Sequence, residues 1–116
     1  MLGRMKQNRS QAETCRLFGS LFDPPGENEY LGVAIATLSQ LPLNALRHSP
    51  TGGTCGWYVW GGELSSDPEF FQSLHVHHLV AKAPELVEFL ALAPGWRVLL
   101  APGQTEVWYD PTLLAV

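Results

Sequence analysis

Apolar residues in this chain come in short runs of two periods, separated by proline and glycine. The first run, SQAETCRLFGSLF from Ser10 to Phe22, opens with a capping box, in which Glu13 reaches back to Ser10 at the N-cap. Cys15, Phe18, Leu21 and Phe22 fall on one helical side, and Gly19 supplies the stop. Asp23-Pro24-Pro25-Gly26 reads as a loop. Leu31 to Leu38 (LGVAIATL) predicts a strand, with Val33, Ile35 and Thr37 on one side and the small Gly32, Ala34 and Ala36 on the other. The stretch 39–55 predicts irregular structure, since it holds two prolines and two adjacent glycines.

Gly56 to Gly62 (GWYVWGG) predicts a second strand, Trp57 and Val59 on one face and Tyr58 and Trp60 on the other. Asp67 as N-cap, Pro68 at the first helical position and Glu69 at the positive helix end predict a short helix. Further helical segments are expected at 77–83 and 84–92, the second with Leu86, Val87, Leu90 and Ala91 as its apolar stripe. The clearest hairpin joins Trp96–Ala101 to Thr105–Tyr109 across Pro102-Gly103, because proline presets φ and glycine accepts positive φ. With Leu100 opposite Thr105, Val98 meets Val107 and Arg97 meets Trp108. Trp96, Val98, Leu100, Val107 and Tyr109 then share the core face. Arg97, Glu106 and Trp108 share the other, where cation–π contact and ion pairing are available. Asp110-Pro111 caps a last turn with Leu113 and Leu114. The sum is an α+β domain, a small antiparallel sheet of about four strands with helices packed on one face.

Composition narrows the class. With 116 residues, 46% hydrophobic and 16% charged, the chain suits one folded domain and is too apolar for disorder. Residues 1–9 read as a flexible basic head and 10–116 as the single domain. No apolar run is long enough to span a membrane, and no apolar segment follows the basic residues of the head as in a signal peptide. With only two cysteines, the expected setting is the cytoplasm. The formal net charge is −4, but four of the seven basic residues (Arg4, Lys6, Arg9, Arg16) fall in the first 16 positions. Arg47, Lys82 and Arg97 then face ten carboxylates. So acidic a body repels nucleic acid and attracts a basic protein partner.

Three constellations could carry chemistry. His75, His77 and His78 suggest a metal, since on a strand His75 and His77 share a face, but a site needs a third and usually a fourth ligand. A histidine at a helix start is the simpler reading, so neither metal nor cofactor is expected. Cys55 lies in a glycine-rich stretch without the nucleophile-elbow, phosphate-loop or dinucleotide patterns, which favours a core thiol. An alternative remains a small metal- or ligand-binding protein or enzyme using His75, His77 and Cys55. Glu63, Asp67 and Glu69 bracket a turn where capping accounts for two of them. Trp57, Tyr58, Trp60, Trp96, Trp108 and Tyr109 are many for this size, and a sheet covered on one face leaves some of them outside the core. Exposed aromatics beside carboxylates are typical of protein-binding surfaces.

From Gly56 onward several segments occur in an order that resembles a known family. They are Gly56-Trp57-Tyr58-Val59-Trp60 with Gly62-Glu63, Asp67-Pro68-Glu69-Phe70-Phe71, Leu74-His75-Val76 with His78-Leu79, Pro94-Gly95-Trp96-Arg97, and Val107-Trp108-Tyr109-Asp110. Together, over about half the chain, they resemble the bacterial immunity proteins numbered thirty-three among those of polymorphic toxin systems, formerly a domain of unknown function. The resemblance implies a small, non-enzymatic cytosolic protein that binds and neutralises a cognate protein toxin. With the acidic body, it points to a basic toxin and to Trp60, Glu63, Asp67, Glu69, Glu106 and Trp108 as partner-binding residues, the last four expected near one edge.

Overall fold

The structure, a computed structural model, describes residues 9–115, so the expected basic head of 1–9 lies outside the described residues apart from Arg9. Helix α1 (Gln11–Phe18) starts at the Ser10–Glu13 capping box and ends where Gly19 turns left-handed. The strands are β1 (Tyr30–Val33), β2 (Leu43–Arg47), β3 (Thr54–Gly61), β4 (Gln72–His75), β5 (Trp96–Ala101) and β6 (Gln104–Tyr109). Helix α2 (Val76–Lys82) follows β4 directly, and short 3-10 turns span Ile35–Thr37, Pro84–Phe89 and Pro111–Ala115. The fold is α+β, but the sheet has six strands in the order β4-β1-β3-β2-β5-β6, not about four. It is mixed, since β1 and β3 run parallel while the other pairs are antiparallel.

Both additional strands have local causes. β2 lies in the stretch expected to be irregular, and its Leu43, Ala45 and Arg47 all face inward, so an arginine occupies what the pattern requires to be an apolar position. β4 follows the segment expected to open a helix. There the Asp67 carboxylate accepts the Glu69 N–H at 2.9 Å, and the Asp67 carbonyl accepts the Phe70 N–H at 3.0 Å. That closes a single turn, and the chain then pairs with β1 from Gln72 onward. In the opposite direction, the expected 31–38 strand stops at Val33. Ala34 N–H bonds to the Val59 carbonyl, while the Thr37 hydroxyl donates to the Ala34 carbonyl and accepts from Gly61 N–H. Side-chain bonding of this kind competes directly with a strand ladder.

The helices and the 84–89 turn cover one face of the sheet. Leu79, Leu86, Phe89 and Leu90 pack there against Leu31, Val33, Ala45, Trp57, Val59 and Val98. The hairpin has the register that its sequence predicts, Leu100 opposite Thr105 and Arg97 opposite Trp108. Among the described residues no helix is long and apolar enough to cross a membrane.

Candidate functional site

Side chains alternate along every strand, so the residues between the core positions project from the helix-free face. Two rows cross that face. One runs through Gly32, Tyr58, Leu46, Arg97 and Trp108; the other through Trp60, Asn44, Leu99 and Glu106. In the first row Gly32 leaves room for its neighbour, since a Cβ there would lie 2.6 Å from the Tyr58 ring. The stretch between β3 and β4 folds back over the same face and sets Phe71 edge-on to Tyr58 and Trp60, with ring centroids 5.2 and 6.1 Å apart. His48 meets Tyr58 edge-on from the other side at 5.5 Å.

Between these rings lies a hollow of about 410 Å³, lined among others by Leu46, His48, Tyr58, Trp60, Leu64 and Phe71. Leu64 stands exposed on its rim. Strand alternation in the sequence puts Tyr58 and Trp60 on one side of β3 without saying which side faces outward, and nothing in it points to Leu46, His48 or Phe71 beside them. The first two lie on or beside a strand hidden by the surrounding prolines and glycines. Phe71 follows a turn that reads as a helix start.

The six residues singled out from the sequence do not form one cluster. Trp60 is only 5% exposed and forms the floor of the hollow under Phe71. Glu63, Asp67 and Glu69 are exposed on the stretch that leads to β4, one edge of the sheet. Glu106 and Trp108 stand on β6, the opposite edge, three strand spacings or roughly 14 Å from strand β3, which holds Trp60. The expectation that Asp67, Glu69, Glu106 and Trp108 lie near one edge therefore fails. It fails because the 62–71 stretch crosses to the β4 side and does not return along β6.

Charge on this surface is unevenly paired. Among the described residues two ion pairs form, Arg9 with Glu88 and Arg97 with Asp110, and neither involves Glu63, Asp67, Glu69 or Glu106. The Arg97 guanidinium sits 5.4 Å from the Trp108 ring centre and donates to Asp110 at 3.1 Å. The Thr112 hydroxyl and Arg97 together hold the Asp110 carboxyl below its ordinary value.

The histidines and Cys55 part company. Tyr30 pairs with His75 on one side and Thr54 on the other, so two strand spacings, about 10 Å, separate His75 from the strand of Cys55. Cys55 is wholly buried in the core, and burial pushes its thiol up, away from a reactive thiolate. An enzyme joining Cys55 to His75 or His77 is thereby overturned. His75, His77 and His78 do gather, each offering a ring nitrogen within 4.8 Å of the other two.

A larger hollow, about 620 Å³, opens on the helical side between α1 and the β5–β6 turn, where Leu17 and Leu41 are exposed. It carries the Arg9–Glu88 pair and shares no residue with the aromatic hollow. A family model described as the Imm33-like domain matches residues 10–110. The match takes in α1, β1 and β2 as well as the second half that the sequence resemblance covered. Comparison with curated proteins and comparison with solved structures each gave no match.

Proposed function

We infer, from the premise that this chain belongs to the Imm33-like family, that it is a non-enzymatic immunity-type protein of the bacterial cytoplasm which binds and neutralises a cognate toxin. The observation that carries the binding mode is the helix-free sheet face, where an aromatic hollow lies between a carboxylate-bearing stretch and an exposed tryptophan. Apolar pockets of this kind take a partner's anchor side chain, while rim charges set the rate of encounter. Tyr58, Leu46 and Phe71 receive the anchor, with Trp60 as the floor. Trp108 adds a second contact at the β6 edge, held flat by Arg97. Glu63, Asp67 and Glu69, which no ion pair occupies among the described residues, steer a basic toxin surface toward the hollow.

The experiment is co-expression with the product of the neighbouring toxin gene, followed by purification of the complex. Cells survive with the native chain. Trp108→Ala, a hot-spot type of truncation, weakens binding by about 2 kcal/mol or more. Survival that is equally poor with and without the native chain would sink the reading. A complex whose affinity ignores Trp108 and substitutions lining the hollow would move the contact to the helical side.

A further inference from the structure

We propose that His75, His77 and His78 form a binding site for a divalent late first-row transition-metal ion, with Zn²⁺ as the reference ion. The site owes its third ligand to a change of period at one point in the chain. On a continuous strand His78 would face away from His75 and His77. Here β4 ends at His75 and α2 begins at Val76, so the backbone coils and swings His78 round to its two neighbours. One ring nitrogen from each of the three residues lies within 4.8 Å of the others, and the His77 and His78 rings are 4.2 Å apart between centres.

Other roles for the three rings are poorly served. His75 occupies the N-cap position of α2, yet its side chain makes no capping hydrogen bond. Its ring instead stacks on Tyr30, 4.4 Å between centres and 27° from parallel, which fixes its plane. His77 and His78 are exposed, so burial does not explain them.

The backbone beneath the rings is anchored from two directions. Val76 N–H donates to the Glu29 carbonyl at 3.0 Å and His77 N–H to the Glu27 carbonyl at 3.2 Å. Buried Val76 and Leu79 hold the first turn of α2 against the core. These contacts fix the backbone that carries the three rings. Bonds of about 2.0–2.1 Å in a tetrahedral site put ligand nitrogens roughly 3.3 Å apart. The nitrogens therefore have to close by up to about 1.5 Å, which rotation of the two exposed imidazoles supplies. Three neutral imidazoles without thiolate or carboxylate select Zn²⁺, Ni²⁺ or Cu²⁺ over Mg²⁺ or Ca²⁺. Water, or a side chain from a bound protein, completes the fourth position. The site stands on β4 and α2 and is independent of the toxin-binding reading.

Calorimetric titration of the full chain, free of any polyhistidine tag, with ZnCl₂ tests it directly. A single ion per chain is expected, with no heat from MgCl₂. His77→Gln and His78→Gln, both at exposed positions, each weaken Zn²⁺ binding about tenfold or more and leave the far-ultraviolet circular dichroism unchanged. Co²⁺ should give the visible bands of a tetrahedral site, lost in either variant. No heat and no Co²⁺ bands at millimolar metal would overturn the proposal, and so would Zn²⁺ affinity retained by both variants. Neither result bears on toxin binding, which is read from the complex alone.

Discussion

At position 47 the chain puts a guanidinium where its pattern needs a hydrophobe. Arg47 is 2% exposed and lies 5.7 Å from the Trp57 ring centre. It donates to the carbonyls of Cys55 (2.9 Å), Asp23 (2.7 Å) and Leu92 (2.7 Å). Backbone carbonyls thus replace the water that a buried cation loses, and the residue ties the 23–29 loop and the end of the 84–92 segment to β2. Arg47→Met keeps the stem but strands those carbonyls, each worth about 1–3 kcal/mol when buried without a donor. Urea unfolding should show a loss of roughly 3 kcal/mol or more; a variant within about 0.5 kcal/mol of the native chain would mean that water replaces the guanidinium there. Asp110 gives a second residue-level expectation. Its carboxyl sits below its ordinary value of 3.8 in the folded chain, through Thr112 and then Arg97. A depressed folded value stabilises the protein above 3.8, and that contribution is lost as pH falls from there through the lower folded value. Thermal melts from pH 5 down to pH 2 should therefore fall less steeply for Asp110→Asn than for the native chain.

Among the elements, those whose ends carry their own chemistry were the legible ones. Ser10, Glu13 and Gly19 mark α1 at both ends, and Pro102-Gly103 sets the β5–β6 register, so each needs nothing from the rest of the chain. β2 and β4 have no such signals. Arg47 breaks the apolar period of β2, and Asp67 closes one turn as readily as it opens a helix. The expected strand of 31–38 exceeds β1 because its small residues fit a strand, whereas the Thr37 hydroxyl donates to the nearby Ala34 carbonyl and accepts the Gly61 N–H of β3. Gly32 makes the dependence between elements testable. Gly32→Ala drives a Cβ into the Tyr58 ring on the neighbouring strand. Overpacking of this kind costs about 1–3 kcal/mol, and the displaced ring narrows the hollow. Denaturation should show that loss together with weaker toxin binding. Unchanged stability would mean that the ring moves freely.

For the whole molecule, the decisive asymmetry is one face covered by helices and one free of them, crossed only in part by the 62–71 stretch. Helices packed on a single side leave the opposite rows to carry Tyr58, Leu46, Leu99 and Trp108, an arrangement suited to meeting another protein. Electrostatic steering acts over the whole surface, so its test is kinetic. Reversing Glu63 and Glu69 to lysine should slow association with the toxin several-fold at low salt and leave dissociation nearly unchanged. Stopped-flow rates that match the native chain at low ionic strength would remove the steering role. Read alone, the sequence determined the α+β class, the capped first helix, the hairpin register and the division of β3 into two faces, because each rests on neighbours a few residues apart, and it carried the family likeness in the order of its segments. It could not place the carboxylates of 63–69 relative to Glu106 and Trp108, hollow out a pocket between His48 and Phe71, or turn His78 toward His75. Those depend on which strands lie side by side and where a strand gives way to a helix, and only the packed chain decides that.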